Sequence, residues 1–439
     1  MAPLSPDCLG PVYSVSAKES GPSVDTTNPS SVDCPKLRDL EFFPVREGET
    51  QSVGLRDPQG ISKEILFLPP NVFYLIQFLD GQHTRNQIAG EYLKRFGELL
   101  LPNWVDKFLG DLEEKLFLQG ERFEEAKQAL AVAYRKETIR PAAYAGKSYD
   151  ADPEKLRSQL GEFFVSKEGP GKGPSDHAGQ RIKALVAPHV ELSMAGPVYA
   201  WAYKELRDAD TPDVFVILGA ARGAIETLFA CCEKDFETPS GTVPVDREFL
   251  SLFRQLGGES FFEEELSHRN DHAIEFQTLF LQHILGAKKP FTIVPILCSF
   301  SHLHFSHPDL IAQGRRISEF LAAFRMTLDA FGKDVCYIVS GDLSHIGMRY
   351  GDPRPPTDFQ FNKTMQADLA MLKHAEIGDA QALLHSIQRD DDARRVGILP
   401  PLYTMLNLLP AANGAVLRYD RATVDQYNST VTYCAMAYY

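Results

Sequence analysis

Along this chain of 439 residues the spacing of apolar positions changes repeatedly, and each change marks an element. From Arg140 onward, short continuous apolar runs alternate with stretches in which apolar residues recur every three or four positions: KALVAP then GPVYAWAYKEL, VFVILG, AIEFQTLFLQHIL then FTIVPILCS, SEFLAAFRMTL then DVCYIVSGDLSH. A continuous apolar run suits a strand covered on both faces, whereas the wider spacing suits an amphipathic helix. The alternation predicts an α/β domain over residues 139–439. Its sheet is largely parallel and flanked by helices, with ligands at the carboxyl ends of the strands.

Between residues 37 and 138 the texture differs. ILFLPP reads as a strand, and Asn71 can cap a helix that places Val72, Leu75, Ile76 and Leu79 on one face until Asp80 and Gly81 break it. Thr84 opens a second helix that Gly97 closes, and Trp104 to Leu116 form a third with Val105, Phe108, Leu109, Leu112 and Leu116 aligned. LFLQGERF follows as a hairpin, and Phe123 to Thr138 as a connecting helix. Three short helices and a hairpin predict a small winged-helix α+β domain. The stretch DGQHTRNQIAGEYLKRFG resembles the winged peptide-recognition domains related to PqqD, which implies peptide or protein docking. The third helix sets Lys107 and Lys115 against Asp106, Asp111, Glu113 and Glu114, an acidic surface unsuited to the major groove. Residues 1–36, rich in Ser, Pro, Asp and Thr without apolar periodicity, predict a disordered tail.

Composition narrows the partners. A net charge of −14 repels phosphate backbones and anionic lipid, so no nucleic acid and no membrane surface is expected. No stretch of about 18 apolar residues predicts a membrane span. Seven cysteines without a CxxC pair indicate neither a zinc ribbon nor a disulfide framework; Cys298 and Cys336 sit in apolar runs as buried thiols, and a cytoplasmic setting fits. The glycine-rich segment 167–180 lacks any phosphate-loop pattern and reads as a loop.

Three clusters fall where strands should end. Ala187-Pro188-His189-Val190-Glu191 leaves the first strand, and its imidazole can ligate a metal or act as a base. Asp271-His272-Ala273-Ile274-Glu275 opens a helix, with His272 and Glu275 three apart on one face, where they can hold a proton or simply cap the helix. Ser340-Gly341-Asp342-Leu343-Ser344-His345 follows VCYIV; there the Asp342 carboxylate can fix the tautomer of His345 in a cleft. His302, His304 and His307 lie in a loop without a carboxylate or thiol at ligand spacing and read as loop histidines.

Taken in order, PAAYAGKSYDADPEKLRSQLGEFF, APHVELSMAGPVYAWAY, VFVILGAARG, TPSGTVPVD, DHAIEFQ, SGDLSHIG and GILPPLYTMLNLL resemble the Memo family, which includes the bacterial AmmeMemoRadiSam system protein B. The likeness spans roughly residues 137–439. It implies the fold of class III extradiol dioxygenases, an iron or copper ion between two His and one Cys, and, from the family name, a radical-enzyme partner. Carried over position by position, the first ligand is retained as His189. The second falls within Gly219 to Gly223, where Arg222 and Gly223 stand in place of the family's two histidines, and the third at Val396. Asp342 with His345, and His272 with Glu275, match the family's further polar residues. With one of three ligands left and a fixed cation at Arg222, the expectation is no resident metal and a cleft in which His189, Glu191 and Arg222 bind a peptide or small anionic ligand. The alternative is an oxidoreductase with a rearranged site, or acid/base chemistry by Asp342 and His345.

Overall fold

The computed structural model describes residues 34–47, 50–286, 289–409 and 413–439. The tail expected over residues 1–36 lies outside them up to residue 33, and Lys36 already forms an isolated antiparallel bridge with Asp80. The chain divides into two compact units between Tyr134 and Arg135.

In the first unit, β1 (Glu41–Glu47), β2 (Thr50–Arg56) and β3 (Ile65–Leu68) form an antiparallel sheet in sequence order. Helices α1 (Arg85–Phe96), α2 (Pro102–Glu114) and α3 (Glu121–Arg135) follow. Thr84 caps α1 through a reciprocal box with Gln87, and Gly97 ends it at φ 72°, which its missing Cβ allows. Two expectations are corrected. Asn71 caps nothing: Pro69 is the N-cap of a short helix (Pro70–Phe73) that tightens into a 3-10 turn, and the Asn71 amide donates to the Tyr92 hydroxyl at 2.8 Å. LFLQGERF forms no hairpin. Leu118 bridges to Leu37, while Glu121 and Glu124 occupy the first turn of α3, where acids suit the helix dipole. The wing expected after the third helix is therefore missing there, and the strands come before the helices instead.

The second unit is built on an eight-stranded sheet. Its strands are β4 (Ala184–Ala187), β5 (Val214–Ala220), β6 (Phe229–Cys231), β7 (Thr292–Cys298), β8 (Val335–Ser340), β9 (His345–Ile346), β10 (Gly414–Thr423) and β11 (Thr430–Tyr438). The order is β9-β11-β4-β8-β5-β7-β6, with β10 paired to β11. The pairs β4/β8, β8/β5 and β5/β7 are parallel, and every residue of β4 and β5 is buried, as the continuous apolar runs require. The flanks are antiparallel, so "largely parallel" holds for the four central strands alone. The connection from β10 to β11 is too short for a parallel crossover and can only turn back.

Helices α4 (Pro153–Val165), α5 (Leu192–Asp208) and α6 (Ala273–Leu285) pack together on one face of this sheet. The Phe280 ring of α6 stacks on Tyr199 and Tyr203 of α5, with centroids 5.0 Å away in each case. Helices α7 (Ile311–Phe331) and α9 (Leu399–Leu408) pack against each other, α9 against β5 and β8; α8 (Asp358–Glu376) lies against β10.

Candidate functional site

Because β4, β8 and β5 are adjacent and parallel, with Ser340 level with Ala187 and Gly219, their exits converge. The exits carry His189 and Glu191, Asp342 and His345, and Arg222 respectively. The amino end of α6 is drawn over them: Ser340 Oγ donates to the Ala273 carbonyl at 2.6 Å, and Gln277 Nε2 donates to the Pro188 carbonyl at 2.9 Å. Gly219 permits this approach, since a Cβ there would lie 2.9 Å from that of Ala273.

Asp342 organises the first exit. Its Oδ1 accepts the amides of His189 at 3.0 Å and Val190 at 3.3 Å, and its Oδ2 lies 3.3 Å from His189 Nε2. Burial outweighs these contacts and the nearby His345 charge, and pushes the carboxyl up to about 6. The partner of the His345 ring is not the one expected: its Nδ1 donates to the Arg395 carbonyl at 2.9 Å, and a carbonyl can only accept, so this contact rather than Asp342 sets the tautomer. Burial lowers the His345 pKa.

His189 and His272 face each other with ring centroids 5.1 Å apart. Burial takes His189 down to about 4, with Asp271 opposing and Arg222 adding to the effect. His272 is lowered further, again by burial first and then by Arg222. The Nδ1 atoms of both rings are buried without a hydrogen-bond partner among the described residues. Arg222 is anchored beside them. Its guanidinium donates to the Tyr144 hydroxyl at 2.8 Å, which in turn donates to the Asn270 carbonyl at 2.8 Å, and its amide donates to Asp271 at 3.2 Å. Asp271 also accepts the Ala273 amide at 2.7 Å. Glu191 is the half-buried N-cap of α5 and makes no side-chain capping bond.

Glu275 and His272 share Tyr144, whose ring lies 5.4 Å from that of His272, but Glu275 is engaged elsewhere. It is fully buried, ion-paired to Arg140, and accepts the Tyr149 hydroxyl at 2.5 Å and the amides of Ala143 and Tyr144 at 3.2 and 3.0 Å. With its oxygens so occupied it positions the 140–149 segment and the amino end of α6. Sequence reasoning gave no role to Asp271 and missed Tyr144 and the network beneath the SGDLSH turn. There Asp368 accepts from Ser344 at 2.5 Å, Thr432 at 2.7 Å and Tyr419 at 2.9 Å, and pairs with Arg394. The visible signals were the first tyrosine inside PAAYAGKSYD and an Asp two residues before a helix.

An ion held by two imidazoles and a thiolate does not fit this donor set. Val396 is buried and offers no donor, and among the described residues no three His, Cys, Asp or Glu side chains are arranged to hold a metal. The loop histidines do not converge: His302 contacts Asp391 at 3.0 Å, the His304 ring accepts the Ser301 amide, and His307 is half exposed near Asp309.

Residues 140–437 match the family model described as Memo-like protein. A "MEMO1 family protein" of Aquifex aeolicus is 25% identical over 415 residues, 92% of this chain and all of the relative. A counterpart in Methanopyrus kandleri is 27% identical over 68% of this chain and 98% of its own length. One in Thermotoga maritima is 32% identical over 57% and 82% respectively. The match covers the second unit from Arg140 to Ala437, and the chain belongs to the Memo-like protein family.

Proposed function

We propose that this Memo-family chain keeps a cleft of the class III extradiol dioxygenase type as a metal-free binding site for a small anionic ligand or a peptide carboxylate. The observation that carries the reading is Arg222, fixed on Tyr144 at 2.8 Å beside His189 and His272. A guanidinium held next to two neutral imidazoles disfavours a bound cation and attracts an anion such as a carboxylate. The first unit, whose α1 includes most of the PqqD-like stretch, is read as the peptide-docking element of a cytoplasmic protein that works with a radical-enzyme partner.

Metal analysis of purified full-length protein is expected to find iron and copper far below one equivalent, unchanged in His189→Ala. Malonate is expected to raise the melting temperature of the parent protein but not of Arg222→Gln. Stoichiometric iron or copper that disappears in His189→Ala would overturn the reading. A second reading rests on Asp342, whose carboxyl at about 6 is poised for proton transfer beside His189 and His345. It makes the chain an oxidoreductase-type enzyme, and requires a turnover that Asp342→Asn abolishes while leaving the fold intact.

A further inference from the structure

We infer that the second unit holds another ligand site, at the opposite end of α6 from the His189 cleft, for a small amphipathic anion: an acidic head group on an apolar body. A cavity of about 650 Å³ opens there, within the range of roughly 300–1,000 Å³ usual for small-molecule sites. Its floor is apolar, formed by the buried side chains of Leu160, Val243, Leu279 and Phe291. Its rim carries Arg157, His283 and Lys289. Among the described residues no Asp or Glu lines it, in a chain with 59 acidic and 45 basic residues.

The rim is positioned rather than accidental. The His283 ring stacks on Phe164 with centroids 5.7 Å apart, which fixes its plane. Lys289 is held by the Thr211 carbonyl at 2.5 Å and by Asp213 at 2.8 Å, and Arg157 lies 3.2 Å from Glu154. Both acids are exposed, with side-chain accessibilities of 72% and 74%, so water screens these pairs and a partly desolvated anion would compete well for the same cations. The partial negative charge at the carboxyl end of α6 is about half a unit and is outweighed by two full cations.

The larger cavity, about 790 Å³, lacks this asymmetry. Five glutamates line it beside four cations, and two of those cations are paired with them, Arg254 to Glu233 at 2.6 Å and Lys234 to Glu265 at 2.8 Å. Helix α6 has 13 residues and so spans about 20 Å, and neither His189 nor Arg222 lines the basic cavity. The two sites are chemically separate.

The test is a fluorescence titration of full-length protein with 8-anilinonaphthalene-1-sulfonate, an apolar anion that brightens when bound. Saturable binding is expected, displaced by decanoate and not by inorganic phosphate at the same concentration. The double variant Arg157→Glu/Lys289→Glu should weaken it about tenfold, a loss of roughly one decade in Kd. Thr242→Trp, which fills the cavity from an exposed position, should do likewise, and Arg222→Gln should leave binding unchanged. Parental affinity in both cavity variants, displacement by phosphate as effective as by decanoate, or loss of binding in Arg222→Gln would each overturn the inference.

Discussion

The guanidinium of Arg140 rests on the carboxylate of Glu275, 135 residues further along the chain, and neither side chain has any exposed surface. The other Arg140 donors go to the carbonyls of His268 at 2.9 Å, Asp271 at 2.6 Å and Pro141 at 3.0 Å. The pair thus ties the start of the second unit to the loop that presents Asp271 and His272. Removing one partner of a buried, hydrogen-bonded pair leaves an uncompensated charge, which typically costs about 3–5 kcal/mol. Urea denaturation of Glu275→Gln should show a loss of about that size, and Arg140→Met at least as much. A loss under about 1 kcal/mol would show that the pair does not hold the loop.

Tyr144→Phe removes the acceptor for Arg222 and the donor to the Asn270 carbonyl. Two partly buried hydrogen bonds at about 1 kcal/mol each predict a stability loss of roughly 2 kcal/mol. The malonate-dependent rise in melting temperature should also shrink, because the guanidinium loses its anchor. An undiminished ligand response would separate Arg222 from Tyr144.

His268 offers a pH test away from the cleft. Its Nε2 bonds to the Ala230 carbonyl at 2.9 Å, yet burial takes its pKa from 6.5 down to about 4. A depressed pKa stabilises the fold above the unfolded value, and that contribution is lost as pH falls through the folded one. The stability advantage of the parent protein over His268→Gln should therefore shrink between pH 6.5 and about 4, by at most about 1.4 kcal/mol per pH unit. Asp342 acts with the opposite sign: raised to about 6, it favours the fold at low pH and loses that effect as pH rises through 6. The difference between the two proteins, measured by denaturant titration at each pH, isolates the histidine. An advantage independent of pH would refute the assignment.

A methyl group at Gly397 would lie 3.2 Å from both the Asp342 carbonyl oxygen and His345 Cε1. Gly397→Ala must therefore displace the turn or the ring. The expected cost is about 1–3 kcal/mol, with a shifted NMR titration midpoint for His345. An unchanged midpoint would mean that the ring is not held by this contact.

The architecture of the second unit was legible because its central strands are buried on both faces, so VFVILG and VCYIV appear as unbroken apolar runs. Strand β10 was not: every residue of GAVLRYDRAT except Ala422 keeps some exposure, and its polar positions hide the pattern. In the first unit, β1 and β2 escaped notice for the same reason, since EFFPVRE and TQSVGLR mix charges, Pro and Gly with apolar residues. The clusters at His189 and at Asp342 do follow strands, because a polar residue directly after a buried run has few other places to go, whereas Asp271 to Glu275 follows a 3-10 turn and opens α6. Their pairing was not legible. Neither the Arg395 carbonyl that holds His345 nor the Arg140 that occupies Glu275 leaves a trace in local spacing.

Strand β11 pairs with β4 and β9 along one edge, and with β10, which lies immediately before it in the chain, along the other. During synthesis the flank of β4 therefore stays an uncovered ribbon edge until residues 430–438 have left the ribosome, some 240 residues after β4 itself was made. Such a late closure exposes unpaired amides to neighbouring chains. Nascent second units stalled before β10 should be the species that chaperones retain.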